Sequence, residues 1–240
     1  MMKNFSLFLI LIALIGCSQS ADPVNFGLLE ERDGIYYNRE TNKVFTGPVF
    51  NIPGTSVNKG YINNGKFHGE FSSYYGNDQL RSTLNYVDGV KEGEFVDYFS
   101  NGQISRKGFF KQDELDGQFE EFTWEGRTLT SAKYNLGQPT EEIKYQYFEN
   151  GDLYFVENYK NGLLDGLVQE YHDNGNIFIE ETFLKGRRDG YSRFYFTSGN
   201  LQSESQYKNG KRNGYMKTFS ESGELVKEKN YIDGKEIKSD

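Results

Sequence analysis

The chain has one cysteine, Cys17, one tryptophan, four prolines and two histidines among its 240 residues. A lone cysteine excludes an internal disulfide framework. Two histidines, His68 and His172, leave little material for a histidine-built metal centre or a general-base site. Long hydrophobic runs are also missing. The longest, Phe5 to Ile15, has 11 residues, against the ~20 that a spanning helix needs. Cations are outnumbered, 27 to 35, for a formal charge of −8, which works against nonspecific binding to nucleic acid. Glycine and aromatics are plentiful instead, with 27 glycines and 16% aromatic residues. Short aromatic runs between glycines indicate all-β structure, and the aromatic content is too high for disorder.

The N-terminus reads as an export signal over residues 1–16, with Lys3 as its positive end and Phe5 to Ile15 as its apolar stretch. Leu14-Ile15-Gly16-Cys17 resembles the lipobox of bacterial lipoproteins. The resemblance implies cleavage before Cys17 and lipidation of its sulfur and new amino group. Several acyl chains would hold the protein stably at a membrane. Ser18 after the cysteine implies an outer-membrane destination in the bacterial envelope. Residues 17–33 are expected to be a lipidated tether. Loss of Lys3 with the signal would leave 26 basic and 35 acidic side chains, a charge of −9.

The rest of the chain is periodic. A tyrosine or phenylalanine returns at Tyr86, Phe110, Tyr134, Tyr159, Phe183, Tyr207 and Tyr231, in steps of 24, 24, 25, 24, 24 and 24 residues. Glycines keep the same period at Gly69, Gly93, Gly117, Gly166, Gly190 and Gly214, with Glu141 in the one gap. One supersecondary unit therefore decides the fold. In the unit from Gly93, a strand is expected over about 94–99, a turn at Ser100-Asn101-Gly102 and a second strand over about 103–110. A further loop should lead to the next unit.

Glycine recurs at the turn as Gly102, Gly126, Gly151, Gly175, Gly199 and Gly223, while the residue before it varies. Glu125 or Ser198 would fit a type I′ turn poorly. A three-residue loop with one left-handed glycine and a bulge suits all six, with Asp78 taking the glycine place in the first unit. This turn sets Tyr98 opposite Ile104, and likewise Tyr74 and Leu80, Tyr171 and Ile177, Tyr195 and Leu201, Phe219 and Leu225. Counting by two from Ile104 reaches Phe110, so both should share a face. The face of Phe71, Phe95 and Phe119 stays open.

The expected architecture is all-β: an elongated, single-layer antiparallel meander of stacked 24-residue hairpins. It comprises an N-terminal cap at 34–46, a degenerate unit at 47–68 and about seven repeats over 69–238. About 16 strands at ~4.8 Å would give a body roughly 75 Å long. Lys227 and Lys229 on the last strand are expected to blunt the open edge.

Tyr207-Lys208-Asn209-Gly210-Lys211-Arg212-Asn213-Gly214 and Tyr159-Lys160-Asn161-Gly162-Leu163-Leu164-Asp165-Gly166 resemble the core of MORN repeats. Asn174 to Ile177 carries the Asn-Gly-x-Ile mark of the bacterial variant, which makes up the YwqK-type proteins often labelled antitoxins. The likeness covers roughly 34–238. It implies stacked hairpins and a scaffold for protein or lipid contacts. The usual Gly-x-Gly after the Tyr-x-Asn-Gly block is absent, so lipid binding ascribed to eukaryotic members does not carry over.

No nucleophile elbow, phosphate-binding loop or dinucleotide fingerprint occurs. Carboxylate pairs such as Glu120-Glu121, Glu141-Glu142 and Glu180-Glu181 fall on strands in a solvated pattern. The reading is a non-enzyme with no cofactor and no metal, a protein partner, no nucleic acid and little call for a small molecule. The inter-repeat loops change sign, from acidic at Lys111 to Asp116 to basic at Lys185, Arg187, Arg188, Lys208, Lys211 and Arg212. These six form the candidate partner-binding edge. Three functions follow: an envelope scaffold for protein–protein interaction, an antitoxin or immunity protein masking a toxin, and a binder of glycan, cell wall or anionic lipid.

Overall fold

The computed structural model describes residues 22–53 and 57–237. Within them the chain is a long, open, mostly antiparallel sheet of 20 strands, with a separate two-stranded hairpin at its N-terminal end. The expected meander is therefore present, with more strands than the 16 counted from sequence. Cys17 and the export signal lie outside the described residues.

Each repeat uses two kinds of turn, one at each long margin of the sheet. At the first margin, seven loops share one pattern. Phe99 N–H donates to Gln103 O at 2.8 Å, and Gly102 N–H donates to Phe99 O at 2.9 Å. Gly102, Gly126, Gly151, Gly175, Gly199 and Gly223 all have φ between 84° and 91°, and Asp78 has φ 63°. These are the three-residue bulged loops read from the sequence. The cross-strand partners are also those expected: Tyr74 with Leu80, Tyr98 with Ile104, Tyr171 with Ile177, Tyr195 with Leu201 and Phe219 with Leu225.

The second margin departs from expectation. The supposed inter-repeat loops are two-residue turns, such as Asn209-Gly210 between the paired Lys208 and Lys211. Both central residues have positive φ, 48° and 82°, which defines a type I′ turn. The strands therefore run closer to the turn than expected: Val90–Tyr98 in place of 94–99, and Ile104–Lys111 in place of 103–110.

Bulges decide which side chains share a face. Tyr98 pairs with Ile104 but Asp97 pairs with Arg106, so Ser105 is an extra residue. That one-residue insertion reverses parity along the strand. Ile104 and Phe110 consequently lie on opposite faces, contrary to counting by two. Phe95 and Phe110 share a face, with ring centroids 4.8 Å apart. The same holds for Phe71 with Tyr86 at 4.9 Å and Phe119 with Tyr134 at 5.7 Å. Small residues make room for these rings. A Cβ on Gly60 would fall 2.3 Å from the Phe71 ring, and one on Gly108 would fall 3.0 Å from Phe95.

A second irregularity precedes each periodic glycine. Leu84 pairs with Phe95 and Tyr86 with Lys91, which leaves two unmatched residues around Gly93, whose φ is 95°. At the gap in the glycine series the bulge holds one residue, Thr140, since Lys133 pairs with Glu141 and Tyr134 with Pro139. No left-handed backbone is needed there, and Glu141 is admitted.

Successive repeats are also joined turn to turn. The glycine N–H of a type I′ turn donates to a carbonyl 22 residues earlier: Gly89 to Phe67, Gly137 to Leu115, Gly186 to Leu164, Gly210 to Arg188 and Gly234 to Arg212, at 2.7–2.8 Å. An acidic or amide side chain of the earlier repeat accepts from the turn's first residue. Asp165 accepts from Lys185 N–H and Asp189 from Asn209 N–H, at 3.1 and 3.0 Å.

The compact hydrophobic core sits at the N-terminal end. Val24–Asn25 adds in parallel to Gly47–Phe50. The hairpin of Leu29–Arg32 and Ile35–Asn38 covers the first strands. Leu29, Phe45, Val49 and Ile62 are buried there, with Val24, Phe26, Tyr36, Ile52 and Phe67 packed around them. Part of the stretch expected as a tether over residues 17–33 is therefore structured, because the chain already belongs to the sheet at Val24. At the other end Lys235–Ile237 pairs with Asn230, Tyr231 and Ile232. The strand bearing Lys227 and Lys229 is therefore not the last one, and among the described residues its Leu225 to Lys229 stretch pairs on one side alone.

Candidate interaction surfaces

The face that carries Phe71 changes character along the sheet. Over the first three units it is aromatic, with Phe71, Tyr86, Phe95, Phe110 and Phe119. Two shallow cavities open on it, of about 360 and 240 Å³, meeting at Ser82 and Leu84. Beyond the fourth unit polar groups join it, beside Val168, Phe183 and Tyr207. Glu181 is only 7% exposed, and it accepts from Arg188 Nε at 2.9 Å and Ser192 Oγ at 2.8 Å. That pairing offsets the cost of burying the carboxylate.

On the opposite face a ladder of alternating charge crosses the C-terminal strands. Arg193 bridges Glu180, at 3.1 Å, and Glu204. Its guanidinium lies 4.5 Å from the centroid of Tyr191, and Tyr215 donates its hydroxyl to Glu204. Hydrogen bonding to Glu204 pushes the Tyr215 phenol up to about 12. Burial, the largest influence on Glu204, raises its pKa, but the hydrogen bonds from Tyr215 and Arg193 with the charges of Arg193 and Lys217 outweigh it. The net shift is downward.

These shifts fix a pH window. Tyr215 is neutral in the pair, so its contribution is complete below pH 10 and is lost as pH rises towards about 12. Glu204 contributes above its ordinary value of 4.5 and loses that contribution as pH falls through its lowered value. Tyr215→Phe is expected to flatten the alkaline fall of the melting temperature between pH 10 and 12 relative to wild type. Parallel melting curves across that range would show that the pair does not couple to folding.

The six candidate edge residues do not form one uniform surface. Lys185 occupies a type I′ turn with φ 50°. Arg187 and Lys211 stand opposite Leu184 and Lys208, on the face opposite the phenylalanines. Arg188 and Arg212 belong to the phenylalanine face, where both lie over Tyr207, at 5.6 and 6.0 Å. Arg188 is tied to Glu181, and Lys208 is paired with Asp189 at 2.9 Å. Lys208 holds the Asp189 carboxyl below its ordinary value. The alternation of side chains along a strand is what splits the set.

His68 and His172 lie in different surroundings. His172 Nε2 is 3.1 Å from Tyr195 O, and His68 Nδ1 is 3.5 Å from Asp88. Among the described residues no group of three His, Cys, Asp or Glu could hold a metal ion. No described helix is long and apolar enough to cross a membrane. The solvated pattern expected for Glu180-Glu181 fails at Glu181, which is buried because Arg188 and Ser192 satisfy its carboxylate, while Glu180 joins Arg193 in a charge ladder that the sequence did not single out. Glu180-Glu181 recurring one unit before Glu204 and Ser205 was the available signal.

The geometry defines a class of protein: an open repeat sheet of stacked hairpins with functional groups displayed along faces and margins. Residues 67–88, 91–112, 164–185, 188–209 and 212–233 match the family model described as the MORN repeat variant. These five segments are similar to MORN repeats, which are generally non-catalytic and commonly protein- or membrane-interaction modules. The unmatched middle holds Glu141 and the 25-residue step, yet its hairpins continue the same sheet. No curated protein matches the chain. Among solved structures, the crystal structure of TcdB2-TccC3-Cdc42 aligns at 10% identity over 85% of this chain and 12% of that chain, with a TM-score of 0.28. This chain thus spans about an eighth of that chain's length.

Proposed function

We propose that the protein is a non-catalytic repeat scaffold, lipid-anchored through Cys17 at the bacterial envelope, that binds a protein partner along its C-terminal units. The observation that carries this reading is the set of exposed cations, Lys185, Arg187 and Lys211, lining one margin of a chain whose net charge is −8. An exposed margin of one sign suits an anionic partner by steering its approach.

Two arms test it. Cys17→Ala should move the protein from the membrane to the soluble envelope fraction, and a variant that stays with the membrane after a salt wash would exclude the anchor. Lys185→Glu/Arg187→Glu/Lys211→Glu should lose a polypeptide that wild type captures from detergent-solubilised envelope. Melting should change little, because exposed charges contribute little to stability. Arg188 and Arg212 are left intact, since reversing them would disturb Glu181 and the Tyr207 stack. Capture of the same polypeptide by the triple variant would remove the margin from partner binding. A toxin among the captured chains would favour the immunity reading.

A further inference from the structure

The position directly after each type I′ turn diverges along the array. It is Lys66, Val90, Glu114, Gln138 and Leu163 in earlier units, then Arg187, Lys211 and Lys235 in the last three. These three cations are exposed. Asp189 is engaged by Lys208 and Asn209 N–H, and Glu236 by Lys229, whereas Asp233 in the last turn is exposed. Leu184 and Ile232 stand directly opposite Arg187 and Lys235. Both are exposed, at 47% and 55%, as is the neighbouring Leu163 at 51%. Along the row Leu163 and Leu184 lead to Arg187, Lys208 and Lys211, with Lys208 paired to Asp189, and Ile232 lies between Lys211 and Lys235.

Its spacing is set by the sheet. Equivalent positions in successive hairpins are two strands apart, roughly 9.6 Å at about 4.8 Å per strand. A ligand laid along the row must present like groups at that interval. A polyproline II helix repeats its face every three residues, about 9.3 Å. An extended strand repeats its face at about 6.6 or 13 Å. An α-helix comes nearest with seven residues, about 10.5 Å, and drifts by nearly 2 Å over three cations.

We propose that this row binds a proline-rich segment in polyproline II conformation with a glutamate or aspartate at every third residue. The acids would meet Arg187, Lys211 and Lys235 in turn, and the prolines would lie over Leu184, the Lys208–Asp189 pair and Ile232. The segment needs little ordering on binding because that helix is already populated in free chains. The proposal rests on the scaffold reading and specifies its partner.

Fluorescence anisotropy with a labelled peptide of six Pro-Pro-Glu triplets tests it. The control is a peptide of the same composition with glutamates at irregular spacing. At low salt the regular peptide is expected to bind about tenfold more tightly, as three weak exposed ion pairs in register would give. Arg187→Gln/Lys211→Gln/Lys235→Gln should reduce it to the level of the irregular control, with melting unchanged. Equal affinity for both peptides, or unchanged affinity in the triple variant, overturns the proposal. Binding to anionic phospholipid vesicles without discrimination between peptides also overturns it, in favour of a membrane surface. Capture of an envelope protein that survives this variant would keep the scaffold reading and sink this one.

Discussion

Ile62→Ala is expected to cost about 3 kcal/mol of folding stability, within the ~2–5 kcal/mol measured for such truncations in buried sites. Ile62 is fully buried and Val49 is 1% exposed beside it. Together with Leu29 and Phe45 they join the N-terminal hairpin to the first strands of the sheet. Elsewhere the array is a single layer whose side chains are mostly half-exposed, so no other site concentrates so much apolar contact. Urea unfolding measured separately by tyrosine fluorescence and by circular dichroism checks this. A loss below ~1 kcal/mol would mean the cap contributes little to holding the array.

Gly60→Val should destabilise by about 2 kcal/mol, in the range that overpacking costs a filled site. The backbone at Gly60 is ordinary, and the space above it is taken by the ring of Phe71, 2.3 Å from where a Cβ would stand. Phe71 is itself held by Phe67 at 4.7 Å and Tyr86 at 4.9 Å, so it cannot swing away freely. Phe71→Ala in the same chain should recover part of the loss, and a double-mutant cycle reads the coupling directly. Simple additivity of the two changes would place the strain elsewhere.

Much of the fold was legible because one short unit is written many times. The turn glycines at Gly102 and its equivalents carry a backbone demand that few residues meet, and their tolerance of Glu125 and Ser198 separated one loop type from another. The type I′ turns were harder. Gln112-Asp113 and Leu136-Gly137 stand where Asn209-Gly210 stands elsewhere, and they hide the common signature. The parity error at Phe110 has a plain cause. Ser105 is an unremarkable residue, and nothing in its identity announces that it sits outside the ladder. The candidate edge was legible as a cluster of charge. Its division between two faces was not, because that depends on the same bulges and on which arginines find Glu181 or Tyr207. The resemblance to a lipobox at Cys17 lies outside the described residues and is an expectation from the sequence alone.

The turn-to-turn hydrogen bonds give the array a direction. Five type I′ turns hand their glycine N–H to a carbonyl 22 residues earlier, so a hairpin emerging from the ribosome finds its acceptor already made. Growth from the capped end can proceed one unit at a time without waiting for the C-terminus. Shortening the chain from its C-terminal end orphans no turn donor in what remains. Removing the first units strips the Ile62 core and leaves the next turn's N–H facing water. Variation in repeat number should therefore be tolerated at one end of this molecule and resisted at the other.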